Sequence, residues 1–178
     1  SVYGPPPIER MTERLFGRDG AFEPDLLARV NHPMSQQAFR NRGGVMPRGL
    51  PQISVQELRI GDVVKTKGWV VRTAHAQHAQ PYLTSLAYRI DTQAGSVVIS
   101  GDTKPLPGMA EFARDAHTLV HMAMEVDAAR GRWPDIYAAC TSAHGAGKIA
   151  AAAGVDRLVL VHVSIEADEP AYAAAMVS

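Results

Sequence analysis

The stretch from Ser96 to Thr103 constrains the fold more than any other part of this chain. Three β-branched residues, Val97-Val98-Ile99, are followed by a serine, a glycine and then Asp102. A β-branched run favours a strand, and the glycine suits the turn that ends it. Because α/β proteins gather their ligands at the carboxyl ends of strands, this pattern predicts a sheet edge that presents the Asp102 carboxylate.

Composition sets the class of protein. The chain has 178 residues and 46% of them are hydrophobic, which predicts a single domain over 1–178 with a real core. The 18 basic and 18 acidic residues cancel, so nucleic acid is expected to be an unlikely partner. The sequence contains no apolar stretch long enough to cross a membrane. The single cysteine, Cys140, indicates a reducing compartment, and we expect a cytoplasmic protein.

The first third of the chain differs in pattern from the rest. Ile8, Met11, Leu15 and Phe16 recur at helical spacing after three prolines and predict one amphipathic helix. Residues 17–53 are rich in glycine, proline and arginine, and we interpret them as an inserted lid. Within them Arg40, Arg42 and Arg48 are expected to lie on a solvated mobile loop, with an arm for an anionic substrate as the alternative.

From Val55 onwards the pattern is first β and then alternating. Short strands separated by turn residues come first, and helices alternate with buried strands after Asp102. The predicted strands are Val63–Val64, Trp69–Val71, Leu86–Ile90, Val97–Ile99, Thr118–Met122 and Arg157–Val163, and the later predicted helices are Pro107–Ala116 and Ser142–Ala153. This order predicts an α/β (α+β) fold, a layered sandwich with helices outside.

Two histidines stand at or near the ends of strand-like runs, as Asp102 does. His78 follows the second of these runs, and His162 closes the strand Leu158–Val163, which we expect to be buried on both faces. Two imidazoles and one carboxylate are donors that a borderline-soft divalent metal accepts. A hydrogen-bonded core histidine is the alternative for each of them taken singly.

A resemblance to a known family follows from the order of these motifs. Tyr3-Gly4-Pro5, Ser100-Gly101-Asp102-Thr103, Leu119-Val120-His121 and the closing run from Gly154 to His162 occur in one sequence. In this order they resemble the metallo-β-lactamase superfamily, in particular its branch of ribonuclease Z and arylsulfatase-like hydrolases. The resemblance covers nearly the whole chain outside the lid.

The resemblance implies a four-layer αββα sandwich, here incomplete at both ends, with two divalent metal ions at one sheet edge. Zinc is expected, with manganese and iron as alternatives. By motif position His78 holds one metal, His162 holds the other and Asp102 bridges them. Thr103 supports the carboxylate or is an ordinary turn hydroxyl. The family's His-x-His-x-Asp-His motif is not in this chain, so we expect it in a complementary N-terminal segment or chain. We also expect a homo-oligomer.

Three residues differ from the family pattern or stand beside a difference. Cys140 occupies the place of the histidine that donates a proton, and it is either reactive or a small buried thiol. His144, one helical turn later, is either the replacement general acid or a surface histidine. Met122 stands where the family commonly has glutamate, and the preceding His121 either lines the site or packs in the core.

The resemblance implies a metal-dependent hydrolase that uses a metal-bound hydroxide. Because the usual proton-transfer residues are missing, the main expectation is a small-molecule substrate: an ester, lactone, sulfate ester or phosphodiester. Two alternatives stay open. One is a ribonuclease Z-like phosphodiesterase acting on RNA, and the other is a catalytically incomplete binding or assembly module.

Overall fold

The computed structural model describes residues 1–124 and 139–163. The chain forms two compact units, Ser1–Leu58 and Arg59–Ser178. We expected one domain with an inserted lid at 17–53. The boundary between the two compact units follows Leu58, and the single domain and the inserted lid both stay predictions.

The first unit combines a two-stranded sheet with three helices. Strands β1 (Val2–Gly4) and β2 (Val55–Glu57) pair in parallel. Helix α1 (Ile8–Phe16) begins after the three prolines and buries Thr12, with the half-buried Ile8 and Leu15 on either side. This 4–3 spacing is that of one helix face, which confirms the predicted helix.

Two further helices occupy the region interpreted as a lid. Helix α2 spans Glu23–Asn31 and α3 spans Pro33–Asn41, each with proline in its first turn. His32 separates them, and its Nδ1 accepts a hydrogen bond from the backbone N–H of Met34 at 3.3 Å. His32 therefore caps α3, a role that a histidine before a proline did not reveal in the sequence.

The second unit contains a six-stranded sheet in the order β3-β4-β5-β6-β7-β8. Neighbours from β3 to β6 are antiparallel, and the pairs β6–β7 and β7–β8 are parallel. The strands are β3 Val63–Lys65, β4 Trp69–Ala76, β5 Ser85–Thr92, β6 Gly95–Ile99, β7 Thr118–Met122 and β8 Arg157–Val161. The sequence predicted all six, although β4 runs five residues further than expected.

Two helices cover one face of this sheet. Helix α4 spans Pro107–Phe112 and α5 spans Ala143–Ala153. The core between sheet and helices is made of small and medium side chains: Ala87, Val98, Met109, Ala113, Ala116, Leu119, Ala150 and Ala153. Ser142 caps the start of α5, and Gly154 ends it in the left-handed conformation with φ of 68°.

Strand β8 corrects one expectation. We expected it to be buried on both faces, but Arg157, Val159 and Val161 are exposed while the alternate residues face the helices. Their side chains alternate because successive strand residues point to opposite faces. An apolar run alone did not distinguish a strand that is half exposed from one that is fully buried.

Candidate functional site

The candidate site lies where three parallel strands end. Strands β6, β7 and β8 run in the same direction, so their carboxyl ends meet at one edge of the sheet. The pairing continues past the strand ends, because Ser100 N–H donates to Val120 O at 3.0 Å and Ala123 N–H donates to Val161 O at 2.9 Å. This edge therefore places the segments that follow β6 and β8 close together.

Asp102 and His162 meet at this edge although 60 residues separate them in the chain. His162 Nδ1 lies 3.1 Å from Asp102 Oδ1, and both side chains are about half exposed. In the tautomer in which Nδ1–H donates to the carboxylate, the Nε2 lone pair of His162 is available to a ligand. A carboxylate that orients a histidine in this way is common beside metal ions.

His78 lies on the exposed loop that follows β4, and this loop is tied to the Asp102 loop. Gln77 N–H donates to Thr103 Oγ1 at 3.0 Å, and Lys104 N–H donates to Gln77 O at 2.9 Å. The two loops therefore run side by side, one residue away from His78 and Asp102 respectively. The side chains of His78 and Asp102 nevertheless do not complete a set of metal ligands. Within 1–124 and 139–163, no three His, Cys, Asp or Glu residues lie as close together as a metal site requires.

The donor set can be compared with the needs of a metal ion. Imidazole nitrogen and carboxylate oxygen suit zinc, manganese and iron, so the chemistry of Asp102 and His162 fits. Their number does not fit, since a catalytic zinc takes three protein ligands and a water molecule. His78 and the bridging role of Asp102 stay predictions.

Thr103 is fully buried and holds the loop that carries Asp102. Its hydroxyl accepts from Gln77 N–H and donates to Lys104 O at 2.9 Å, so these backbone groups, rather than Asp102, are its partners. Its carbonyl accepts from Thr141 Oγ1 at 2.7 Å. Thr141 is a buried residue that the sequence analysis missed. A hydroxyl next to a helix cap was the available signal, but it does not indicate a partner 38 residues away.

His121 is fully buried at the end of β7. Its Nδ1 lies 2.8 Å from Met122 O, whereas no hydrogen-bond partner for Nε2 is found among the described residues. Burial lowers the pKa of His121 below its ordinary value, because a charged ring would lose its hydration, so the ring is neutral near pH 7. His121 is therefore buried in the interior of the structure, and its role at the site stays a prediction.

Sulfur atoms fill the positions where the family pattern has its glutamate and histidine. Met122 Sδ accepts from Thr103 N–H at 2.9 Å, and Cys140 Sγ lies 3.3 Å from Met124 Sδ. Cys140 is 6% exposed, so the expectation of a buried thiol is confirmed. His144 is half-buried in the first turn of α5, and its role as a general acid stays a prediction.

Comparison with known proteins shows similarity to ribonuclease Z sequences. The chain is 35% identical over 116 residues to ribonuclease Z from Mycobacterium avium, covering 63% of this chain and 41% of the relative. It is 30% identical over 168 residues to ribonuclease Z from Mycobacterium marinum, covering 90% of this chain and 54% of the relative. The chain thus spans between about two fifths and about half of these relatives. No family model matches it.

Solved structures show the same fold. The metallo-β-lactamase fold protein YhfI from Bacillus subtilis matches with a TM-score of 0.60 and 19% identity over 69% of this chain and 48% of that protein. The short form of human tRNase Z matches with a TM-score of 0.57 and 16% identity over 92% of this chain and 60% of that protein. The chain therefore has the metallo-β-lactamase fold, and its expected resemblance to the ribonuclease Z branch is confirmed.

These relatives correct the expectation about nucleic acid. They are named as ribonucleases, so the view that nucleic acid is an unlikely partner is wrong. A net charge of zero hid the distribution of charge: residues 26–56 contain four arginines and no acidic residue. In the described part of the chain, no helix is long and apolar enough to span a membrane. The cytoplasmic location and the homo-oligomer stay predictions.

Proposed function

We propose that this chain, which has the metallo-β-lactamase fold, provides Asp102 and His162 to the active site of a metal-dependent phosphodiesterase that acts on RNA. The observation that carries the proposal is the 3.1 Å contact between these two side chains at the carboxyl edge of parallel strands. The names of the relatives support RNA as the substrate class, ahead of the small esters that the sequence analysis placed first.

The proposed metal is a divalent ion, with zinc as the first candidate. Asp102 and His162 would hold it, and His78 would contribute from the neighbouring loop. A bound divalent ion would supply an activated water and a positive charge at the phosphate. Because the described residues bring only two donors together, we assign no reaction step to the ion from this structure.

The residues of the chain have separate tasks in this proposal. Asp102 holds the imidazole of His162 in one orientation, and the buried hydroxyl of Thr103 holds the loop that carries Asp102. His144, at the amino end of α5, would donate a proton to the leaving oxygen. Gly101 makes the turn into this loop with φ of 60°, a left-handed conformation that glycine adopts readily.

The two buried sulfur-containing residues in these family positions, Met122 and Cys140, favour a second candidate function. Met122 and Cys140 are buried and lie against Thr103 and Met124, so they offer no carboxylate or imidazole to protonate a poor leaving group. A hydrolase without such groups would favour an ester with a good leaving group, such as an aryl ester. The two candidate functions differ only in the leaving group of the substrate.

One experiment separates the candidates. The chain, supplied with the complementary segment that is expected to carry the His-x-His-x-Asp-His motif, is assayed for bound metal by mass spectrometry, and for cleavage of a 3′-extended RNA hairpin and of an aryl phosphodiester. We expect metal-dependent cleavage of the RNA. Asp102→Ala is expected to lower both metal content and cleavage by a hundredfold or more, about the loss seen when a charge-stabilising group is removed from an active site.

Asp156→Ala is the matched control, because Asp156 precedes β8 at the opposite end of the strand from His162. It is expected to leave metal content and cleavage unchanged. Cleavage of the aryl substrate alone would replace the first candidate by the second. If neither substrate is cleaved and Asp102→Ala leaves metal content unchanged, both candidates fail and a binding module remains.

A further inference from the structure

A run of arginines in the first unit is the strongest charged feature outside the candidate site. Between residues 26 and 56 the chain has Arg29, Arg40, Arg42 and Arg48 and no aspartate or glutamate. Four of the 18 basic residues and none of the 18 acidic ones therefore fall in this segment. A local excess of this kind attracts polyanions even when the whole chain is neutral.

Arg40 lies in the last turn of α3 rather than on the expected loop, and hydrogen bonds close the turn that follows, while its mobility stays a prediction. Arg48 folds back onto the helix pair, where its Nη1 donates to Arg29 O at 2.9 Å and its guanidinium lies 5.1 Å from the centre of the Phe39 ring. The turn after α3 is closed by Gly43 N–H to Arg40 O and Gly44 N–H to Phe39 O. These contacts fix the backbone that carries the other arginines.

Two of the four arginines keep their charge open to solvent. Arg29 forms an ion pair with Asp25 at 2.7 Å, and Arg48 is half-buried as the anchor of the loop. Arg40 and Arg42 are exposed, and Arg40 donates to the neutral amide of Gln37 at 2.9 Å. In the described part of the chain neither Arg40 nor Arg42 forms an ion pair with a carboxylate.

We propose that Arg40 and Arg42, at the carboxyl end of α3, bind the phosphate backbone of RNA. We call Arg40 and Arg42 the arginine face. Guanidinium groups bind phosphate through paired N–H donors, and among the described residues no carboxylate forms an ion pair with either side chain that would compete for the phosphate. Both residues also lie at the carboxyl end of α3, Arg40 in its last turn and Arg42 as its C-cap, where the helix dipole favours a cation. The choice of RNA over other polyanions rests on the proposed function.

Salt-dependent binding tests the arginine face. Fluorescence anisotropy of a labelled 3′-extended RNA hairpin is measured at several potassium chloride concentrations, on the Asp102→Ala background so that cleavage does not interfere. Arg40→Ala/Arg42→Ala is expected to weaken binding about tenfold and to make the slope of log Kd against log salt shallower by about two. Arg40→Lys/Arg42→Lys, which keeps both charges, is expected to recover the slope.

The matched control removes two charges from the same unit. Arg10→Ala/Arg14→Ala changes helix α1, where Glu9 and Glu13 are neighbours, and is expected to leave the slope unchanged. An equal loss in both double variants would mean that only net charge matters and would overturn the proposal. An unchanged Kd for RNA in the Arg40→Ala/Arg42→Ala variant would also overturn the proposal. So would a variant that loses binding to anionic phosphatidylserine vesicles but keeps its affinity for RNA. If RNA is bound in this way but never cleaved, the proposed function fails and the arginine face stands.

Discussion

Two polar clusters of the six-stranded sheet differ in how completely their groups are paired. On β4 and β5, Arg89 donates to Asp91 at 2.9 Å and to the carbonyls of Phe112 and Arg114 at 3.0 and 2.8 Å, while Arg72 also pairs with Asp91. We call this cluster the clamp. At the carboxyl ends of β6 to β8, Asp102 and His162 are half exposed with one contact to each other.

This difference indicates that the clamp stabilises the fold, whereas the edge with Asp102 and His162 is available to a ligand. In the clamp, the carboxylate and the carbonyls at the end of α4 are all matched by guanidinium donors, so little capacity for a ligand remains. At the site edge, carboxylate and imidazole atoms keep donor and acceptor capacity that no residue in the described part of the chain uses. We therefore expect changes in the clamp to lower stability and changes at the edge to lower activity.

The largest effect on stability is expected from Arg89→Ala. It removes the charged donor of two carbonyl bonds and one ion pair, and its side chain is only 19% exposed. The free energy of unfolding should fall by about 2–3 kcal/mol, measured by urea denaturation. Arg114→Ala, which breaks an exposed pair with Glu111, is the control and should leave the urea midpoint unchanged. Loss of RNA cleavage by a still-folded Arg89→Ala protein would contradict the division between clamp and edge.

A smaller loss of stability is expected from Thr103→Val, a change that should affect both stability and metal binding. The change keeps the shape of the side chain but leaves the buried N–H of Gln77 without its acceptor. The free energy of unfolding should fall by about 1–2 kcal/mol, and the metal affinity should fall as the Asp102 loop loosens. Thr92→Val removes hydroxyl bonds in an exposed turn and is the control, with a smaller loss of stability and unchanged metal affinity. Equal effects of the two changes would remove Thr103 from the support of the site.

The smallest effect on stability is expected from His121→Leu, and this effect depends on pH. Burial lowers the pKa of His121, so the unfolded chain takes up a proton near pH 6.5 while the folded ring is still neutral. Stability should therefore fall as pH drops below about 6.5, and the variant should show a weaker fall between pH 7 and 5. Denaturant titrations of both proteins at several pH values measure this pH dependence of the free energy of unfolding. Identical pH slopes would show that His121 does not contribute.

Regular elements of the fold followed from the sequence where the pattern was local. The alanine-rich segment Ser142–Ala153 was predicted as a helix, and the structure confirms it as α5. Strand β4 was predicted too short, since Arg72 to Ala76 lacks an apolar run, and its continuation depends on pairing with β5 up to Ser85. Helix α4 ends four residues early at Phe112, followed by Asp115 with φ of 54°. No local pattern indicates where these pairings and turns occur.

The candidate site followed from the sequence in part. The ends of strand-like runs predicted sheet-edge positions for Asp102 and His162, the family resemblance placed them in one site, and the structure brings them together. The buried network of Thr103, Thr141 and Gln77 was not predicted, because hydroxyl groups form such bonds with any backbone that the fold brings near. Net charge failed as a guide to partners, since it averages the arginine face with acidic regions elsewhere.

His162 adopts φ of 54°, a left-handed backbone that costs an ordinary residue about 1 kcal/mol. Asparagine, like histidine, tolerates this conformation better than most residues. Position 162, directly after β8, is thus a place where a nitrogen donor can be exchanged for an amide oxygen without disturbing the strand before it. An engineer who wants this edge to prefer a harder ion, such as manganese, can begin with that single exchange.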